Sequence, residues 1–142
     1  MKLWLVRHAV ALDAAEGLPD ALRPVSDEGR ARFARARSGL RVLGARFDEV
    51  RFSPLLVDGG LAHAADEALL ARIGGRSVAL VGHEPHLSRL ALWLVCGWEA
   101  LDSREGLRLG KGGAMLLEGD PRPGAMQLVH LLQPRTLRKL GR

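Results

Sequence analysis

The stretch Leu3-Trp-Leu-Val-Arg-His8 is an apolar run that ends abruptly at a cation and an imidazole. A short run of this kind, rich in residues that favour β-structure, predicts a buried strand over residues 3–6. In an open α/β sheet, ligands bind outside the carboxyl ends of the strands, so Arg7 and His8 would border a crevice. A guanidinium beside an imidazole suits an anion. A solvated pair at a strand end explains the dipeptide alone equally well.

A second stretch, Ser77-Val-Ala-Leu-Val-Gly-His83-Glu-Pro-His-Leu-Ser88, has the same design. An apolar strand over residues 77–81 is followed by a glycine, a histidine and a proline suited to the first turn of a helix, which we expect over residues 85–95. If the two strands are parallel, Arg7, His8 and His83 lie at the same edge of the sheet.

The remaining segments predict alternating helices and strands. Ser26 is a good N-cap for a helix with apolar residues at positions 33, 36, 40, 43 and 47. We expect a strand over 47–52, a weaker helix over 61–73, and a hairpin that pairs 114–117 with 126–132. This order predicts an α/β fold, a three-layer sandwich whose mostly parallel central sheet is flanked by helices and ends in a C-terminal hairpin.

Length and composition limit the classes of protein to consider. The 142 residues predict one domain, 1–142, and no apolar run approaches the roughly 18 residues of a membrane span. The start leads directly into a strand, so we expect no signal peptide, no membrane association and a cytoplasmic location. The single cysteine, Cys96, follows an apolar segment, which predicts a buried structural thiol.

The charge balance favours an acidic partner. The net charge is +5, but the arginines are scattered and aromatic residues make up only 4% of the chain. Single-strand binders need stacking surfaces, so we expect no nucleic-acid partner. A basic protein is also suited to bind an acidic, phosphorylated protein. The arginines of the first helix and the basic segment 134–142 are interpreted as a solvated helix face and a solvated tail.

Six short motifs together resemble the histidine phosphatase superfamily, and within it the small SixA-like branch of phosphohistidine phosphatases. They are Leu5-Val-Arg-His-Ala9, Arg23-Pro-Val-Ser-Asp-Glu-Gly29, Ser53-Pro-Leu-Leu56, Val81-Gly-His-Glu-Pro85, Lys111-Gly-Gly113 and Leu132-Gln-Pro134. They follow the family's order over nearly the whole chain. The resemblance implies a phosphatase that hydrolyses phosphohistidine, or a small phosphomonoester, through a phosphohistidine intermediate.

The resemblance also implies roles for individual residues. His8 would be the nucleophile, and Arg7 and His83 would bind the phosphoryl group beside it. Arg23 matches a further basic position of the branch, and Lys111 lies in a glycine-bounded turn that can approach an anion. Such donors would hold the equatorial oxygens during phosphoryl transfer.

The general acid and the metal content are separate questions. Glu84 is the first candidate for the acid, with Asp13 and Asp58 as alternatives, although a carboxylate near a helix start is commonly a capping partner. Imidazole leaves more readily than an alkoxide, so a phosphohistidine substrate needs less protonation. His83 and His86 have no third ligand at suitable spacing, so we expect no metal and no cofactor.

One motif departs from the family pattern. An arginine is expected three residues after Ser53-Pro54, and the chain has Val57 there. Because an arginine at that position binds phosphate in the family, three readings stay open. The first is a phosphatase of reduced or unusual activity, because His8, Arg7 and His83 are all present. The second is an inactive member that binds phosphate or a phosphorylated protein. A basic nucleic-acid binder is a distant third.

Overall fold

The computed structural model describes residues 1–8, 26–52, 67–97 and 107–142. Eight elements follow one another in these ranges: β1 (Lys2–Arg7), α1 (Asp27–Val42), β2 (Glu49–Phe52), β3 (Ser77–Gly82), α2 (His86–Cys96), β4 (Ala114–Gly119), β5 (Met126–Leu132) and α3 (Pro134–Leu140). Of the helix expected over 61–73, residues 61–66 lie outside the described ranges, and residues 67–70 are helical.

The strands form one sheet in the order β2-β3-β1-β4-β5. Strands β2, β3 and β1 are parallel, and β4 and β5 add an antiparallel hairpin at the β1 side. This arrangement confirms the predicted α/β sandwich with its C-terminal hairpin. Because β1 and β3 pair in register, with Arg7 opposite Gly82, their carboxyl ends meet at the same edge.

Alternate side chains of the central strands enter two separate cores. Leu3 and Leu5 pack with α2, in what we call the α2 layer, whereas Trp4 and Val6 pack with α1 and α3, in the α1/α3 layer. This alternation follows from the period of two along a strand. All four side chains are buried, which explains why β1 appears in the sequence as an unbroken apolar run.

Helix α1 begins as expected but ends earlier. The Ser26 hydroxyl oxygen accepts a hydrogen bond from the Gly29 N–H at 2.9 Å, so Ser26 is the N-cap. The helix stops at Val42 because Gly44, at a φ of 75°, forms a Schellman turn in which the Ala45 N–H donates to the Leu40 carbonyl. The prediction that the helical face extends to Phe47 was therefore wrong.

The C-terminal segment is a packed helix and not the solvated tail expected from its charge. Leu137 of α3 is fully buried against α1. The two helices approach so closely that a Cβ on Gly39 would lie 2.1 Å from the Leu137 carbonyl oxygen, and one on Gly141 would lie 2.1 Å from the Arg35 carbonyl oxygen. Glycine is needed at both positions because only its backbone leaves room for this contact.

Two further findings concern α2. Cys96 is exposed at the last residue of the helix, so the prediction of a buried thiol was wrong. The apolar face of α2 passes through Leu90 and Leu94 and has turned away from the core by Cys96. Within the described ranges, no helix combines the length and apolarity needed to cross a membrane.

Candidate active site

The ends of β1 and β3 bring together the two histidines that sequence reasoning placed at strand ends. The His8 N–H donates to the Gly82 carbonyl oxygen at 2.9 Å, continuing the parallel ladder by one residue. The imidazole rings of His8 and His83 stack, with centroids 5.2 Å apart and planes inclined by 25°. His8 is half-buried and His83 is exposed, so a ligand can reach the pair from solvent.

Arg7 is fixed beside this pair through its backbone and its side chain. Its N–H donates to the Gly113 carbonyl oxygen at 3.0 Å, and its own carbonyl accepts from the Gly112 N–H at 3.1 Å. Its guanidinium Nη1 donates to the Leu109 carbonyl oxygen at 2.6 Å. One of the five guanidinium N–H groups is thus committed to the protein, and this bond restricts where the remaining donors can point.

The segment 107–113 carries Lys111 at the tip of a turn. Gly112 adopts a φ of 78°, and the Gly113 N–H donates to the Gly110 carbonyl oxygen at 2.8 Å. A Cβ on Gly113 would lie 2.9 Å from the Leu132 carbonyl oxygen, so the turn packs directly on β5. Lys111 is exposed on the segment whose backbone binds Arg7. Its contact with phosphate stays a prediction.

Glu84 uses both carboxylate oxygens as hydrogen-bond acceptors. Its Oε1 accepts from the Ser88 hydroxyl at 2.6 Å and from the Leu109 N–H at 3.0 Å, and its Oε2 accepts from the Ser88 N–H at 3.1 Å. These bonds join the start of α2 to Leu109, whose carbonyl oxygen accepts the hydrogen bond from the Arg7 guanidinium. The three hydrogen bonds occupy most of the carboxylate's acceptor sites and hold the side chain between α2 and the segment 107–113, so the geometry favours a positioning role. The general-acid role of Glu84 stays a prediction.

Gln133 holds the same segment from the opposite side. Its Oε1 accepts from the Gly110 N–H at 3.0 Å, and its Nε2 donates to the Arg108 carbonyl oxygen at 2.8 Å. Sequence reasoning did not single out this residue as functional. The available signal was its position inside the motif Leu132-Gln-Pro134, which resembles the SixA-like branch.

A cavity of about 440 Å³ opens beside His8, between α1 and the ends of β2 and β3. Its walls are mostly apolar, and Arg30 and Arg37 supply cations along the α1 side. Phe52, at the end of the edge strand β2, is 71% exposed. The candidate phosphoryl site thus borders a wide apolar space.

Several predicted site residues lie outside the described ranges. Arg23, Asp13 and Asp58 belong to this group, and so does Val57, at the position where the resemblance implies an arginine. Their roles stay predictions. Within residues 1–8, 26–52, 67–97 and 107–142, no group of three or more His, Cys, Asp or Glu side chains has a metal-binding arrangement. The absence of a resident metal also stays a prediction.

Comparison with solved structures decides the fold. A SixA protein histidine phosphatase complexed with tungstate superimposes with a TM-score of 0.70 at 16% identity, covering 96% of this chain and 99% of the other. A structure assigned as SixA of Agrobacterium tumefaciens gives 0.67 at 22% identity, over 94% and 97% of the two chains. Another, assigned as SixA of Nakamurella multipartitia, gives 0.55 at 21% identity, over 92% and 95%.

The chain has the SixA fold.

Sequence comparison adds less. No protein-family profile matches the chain. An uncharacterized protein of Picosynechococcus sp. is 30% identical over 102 residues, which are 70% of this chain and 59% of that protein. The chain therefore spans less than two-thirds of this relative's length.

Proposed function

We propose that the protein is a cytoplasmic, metal-independent phosphatase that hydrolyses phosphohistidine in a protein partner, with His8 as the nucleophile. The observation that carries this proposal is the stacked His8–His83 pair beside Arg7, at the carboxyl edge of a sheet with the SixA fold. The neighbour complexed with tungstate supports it, because tungstate is a tetrahedral oxyanion like phosphate.

The reaction has two displacements. A ring nitrogen of His8 attacks phosphorus, the P–N bond to the substrate imidazole breaks, and that imidazole leaves with a proton from solvent or from a nearby acid. A water molecule then attacks the phosphohistidine on His8, and inorganic phosphate departs. Arg7 and His83 bind the equatorial oxygens in both steps, with Arg23 and Lys111 as further donors.

The leaving group favours phosphohistidine over an alkyl phosphate ester. An alkoxide needs a strong general acid, whereas an imidazole departs with little assistance. Glu84, the first candidate for that acid, already accepts hydrogen bonds from Ser88 and Leu109. A small phosphomonoester with an activated leaving group is the second substrate class that such a site would accept.

The test replaces His8 and compares it with a histidine away from the site. His8→Ala should abolish hydrolysis of a phosphohistidine peptide and remove the acid-labile, base-stable phosphoprotein trapped by rapid quench. His130→Ala is the matched control, because His130 is exposed on β5 and pairs with Leu116 of β4. Turnover that survives His8→Ala would remove His8 from the mechanism.

The second candidate function is binding without turnover, and Val57 is the observation that favours it. Loss of one phosphate donor typically costs about 3–4 kcal/mol of transition-state stabilisation, a hundredfold to a thousandfold in rate. Calorimetric titration with tungstate and a turnover assay on the same sample separate the two functions. Binding together with measurable hydrolysis supports the phosphatase, and binding without hydrolysis supports the phosphate-binding protein.

A further inference from the structure

The basic charge of the described chain is concentrated on one side of the sheet. Helix α1 and residues 134–142 together contain two acidic residues, Asp27 and Glu28, and nine basic ones: Arg30, Arg32, Arg35, Arg37, Arg41, Arg135, Arg138, Lys139 and Arg142. Their net charge of +7 is the larger part of the net charge of +11 that the described residues carry. Helix α2, on the other side, has Arg89 as its sole arginine or lysine. A concentration of one sign of charge attracts a partner of the opposite sign.

A cleft within this basic surface lies between α1, α3 and the turn that carries Lys111. The cleft has a volume of about 220 Å³, and Arg32, Lys111 and Arg138 contribute its cations. Phe33, Ala36 and Pro134 add apolar wall. We call it the α1/α3 cleft. Glu28 forms an ion pair with Arg32 and offsets part of the charge, which leaves Lys111 and Arg138 as the larger contribution.

The α1/α3 cleft adjoins the candidate active site. Phe33, Ala36 and Gly112 line both this cleft and the cavity that opens beside His8. Lys111 is the residue before Gly112, whose N–H donates to the Arg7 carbonyl oxygen. The cavity beside His8 and the α1/α3 cleft therefore share part of their wall, and both can be reached by one bound chain.

We infer that the α1/α3 cleft binds an acidic segment of the phosphorylated protein substrate, next to its phosphohistidine. This inference rests on the proposed function and names the partner's chemistry. Carboxylates pair with the cations, and an apolar side chain of the segment covers Phe33 and Pro134. A nucleic acid fits less well, because Phe33 is the one aromatic side chain among the described residues of the cleft wall, and single-strand binders use several stacking surfaces.

The first experiment measures docking without any chemistry. A fluorescent peptide of alternating acidic and leucine residues is titrated with the protein at low salt, beside the same peptide with Asn and Gln replacing Asp and Glu. The acidic peptide should bind at least about tenfold more tightly, and raising NaCl from about 50 to about 300 mM should remove most of the difference.

Charge reversal then locates the binding surface. Arg138→Glu combined with Arg32→Glu should weaken binding of the acidic peptide by about tenfold or more. Arg72→Glu combined with Arg76→Glu is the matched control, because it changes the charge equally and both arginines are exposed shortly after Leu70, which packs in the α2 layer. It should change the affinity less than about twofold. Circular dichroism establishes that the three chains share one fold.

A second measurement connects docking to turnover. The parent protein should hydrolyse a phosphohistidine peptide with acidic flanks at a higher kcat/KM than one with amide flanks. The Arg138→Glu, Arg32→Glu variant should bring this ratio toward one, mainly through KM. If the acidic peptide binds in the cleft but no phosphopeptide is hydrolysed, the docking surface stands and the phosphatase proposal fails.

Two outcomes would overturn the inference. One is an affinity for the acidic peptide that the double charge reversal does not reduce in a folded variant. The other is tighter binding of a single-stranded oligonucleotide of equal charge, lost in the same variant, which would assign the surface to nucleic acid.

Discussion

The α2 layer and the α1/α3 layer cover the same sheet with different chemistry. In the α2 layer, Trp93 and four leucines from or beside α2 are almost fully buried: Leu87, Leu90, Leu94 and Leu109. In the α1/α3 layer the buried helix residues are small or few, and the helices meet through Gly39 and Gly141. Apolar burial stabilises the first layer, whereas the second combines a thinner core with a concentrated positive charge.

The two layers therefore contribute to different properties: the α2 layer to stability, and the α1/α3 layer to recognition of a partner. Burial of apolar area contributes about 25 cal/mol per Å², so the α2 layer supplies the larger share of the hydrophobic free energy. The cations of the α1/α3 layer repel one another, which lowers stability but creates a surface for an anionic partner. The candidate active site lies where the segment 107–113 joins both layers, through Glu84 on one side and Gln133 on the other.

The largest expected effect comes from removing the central side chain of the α2 layer. Trp93 is 1% exposed, and Trp93→Ala should lower the free energy of unfolding by about 3–5 kcal/mol, because it removes a large apolar surface and leaves a cavity. Urea titration followed by circular dichroism measures the loss. Phe52→Ala is the control, since a side chain that is 71% exposed should change stability by less than about 0.5 kcal/mol. Equal losses in the two variants would mean that Trp93 of the α2 layer contributes no more to the free energy of unfolding than the exposed Phe52 does.

A smaller effect is expected from enlarging the glycine contact of the α1/α3 layer. In Gly39→Ala the new Cβ would lie 2.1 Å from the Leu137 carbonyl oxygen, so the helices must separate. We expect a loss of about 1–3 kcal/mol from overpacking, larger than the gain of about 1 kcal/mol that alanine brings in a helix. The readouts are urea titration and affinity for the acidic peptide, which should fall as Arg138 moves away from Arg32.

Gly74→Ala is the matched control for this variant. Beyond Gly74 and its two chain neighbours, no heavy atom of the described residues lies within 4 Å of a Cβ built on Gly74, so alanine there should be neutral or slightly stabilising. If Gly39→Ala is also neutral, the two helices are not held at the distance that the structure gives.

The structural features that depend on a local sequence pattern were predicted from the sequence. The apolar runs of β1 and β3, the residues at their ends and the hairpin were all recognisable, because a strand buried on both faces leaves a continuous apolar run. The end of α1 also had a local signal in Gly44, which the continuing apolar spacing to Phe47 obscured. Proline at the first position of α3 and the apolar Leu137 were similar signals, outweighed by the surrounding charge.

The remaining features depend on contacts between distant residues. Glu84 bonds to Leu109, 25 positions away, and Gln133 bonds to Gly110, 23 positions away. No periodicity in the sequence specifies such pairs. The fit of Gly39 against the Leu137 carbonyl is equally non-local, since it requires the crossing point of two helices. The chemistry of the strand ends was thus predictable, but the residues that hold it in place were not.

The third prediction concerns Glu84, whose hydrogen bonds connect α2 to the segment that holds Arg7. In Glu84→Gln either amide orientation places an NH₂ group against the N–H of Ser88 or of Leu109. We expect a loss of about 1–3 kcal/mol in unfolding free energy, typical of an unsatisfied buried donor. Tungstate affinity should fall as well, because the Leu109 carbonyl holds the Arg7 guanidinium. If Glu84 is also the general acid, turnover falls by a larger factor than the loss of tungstate affinity accounts for.

The smallest expected effect comes from replacing Gln133, which connects the segment 107–113 to the start of α3. Gln133 makes two neutral hydrogen bonds at an exposed position, to Gly110 and Arg108, whereas Glu84 makes charge-assisted bonds at a partly buried one. Charged hydrogen bonds are about twice as strong as neutral ones, and water can replace the partners of Gln133. Gln133→Ala should therefore lower the unfolding free energy by about 1 kcal/mol or less, and it should reduce tungstate affinity less than Glu84→Gln does. Urea titration and calorimetry of both variants measure the ranking. A reversed ranking would mean that the α1/α3 layer, and not the α2 layer, fixes the segment that holds Arg7.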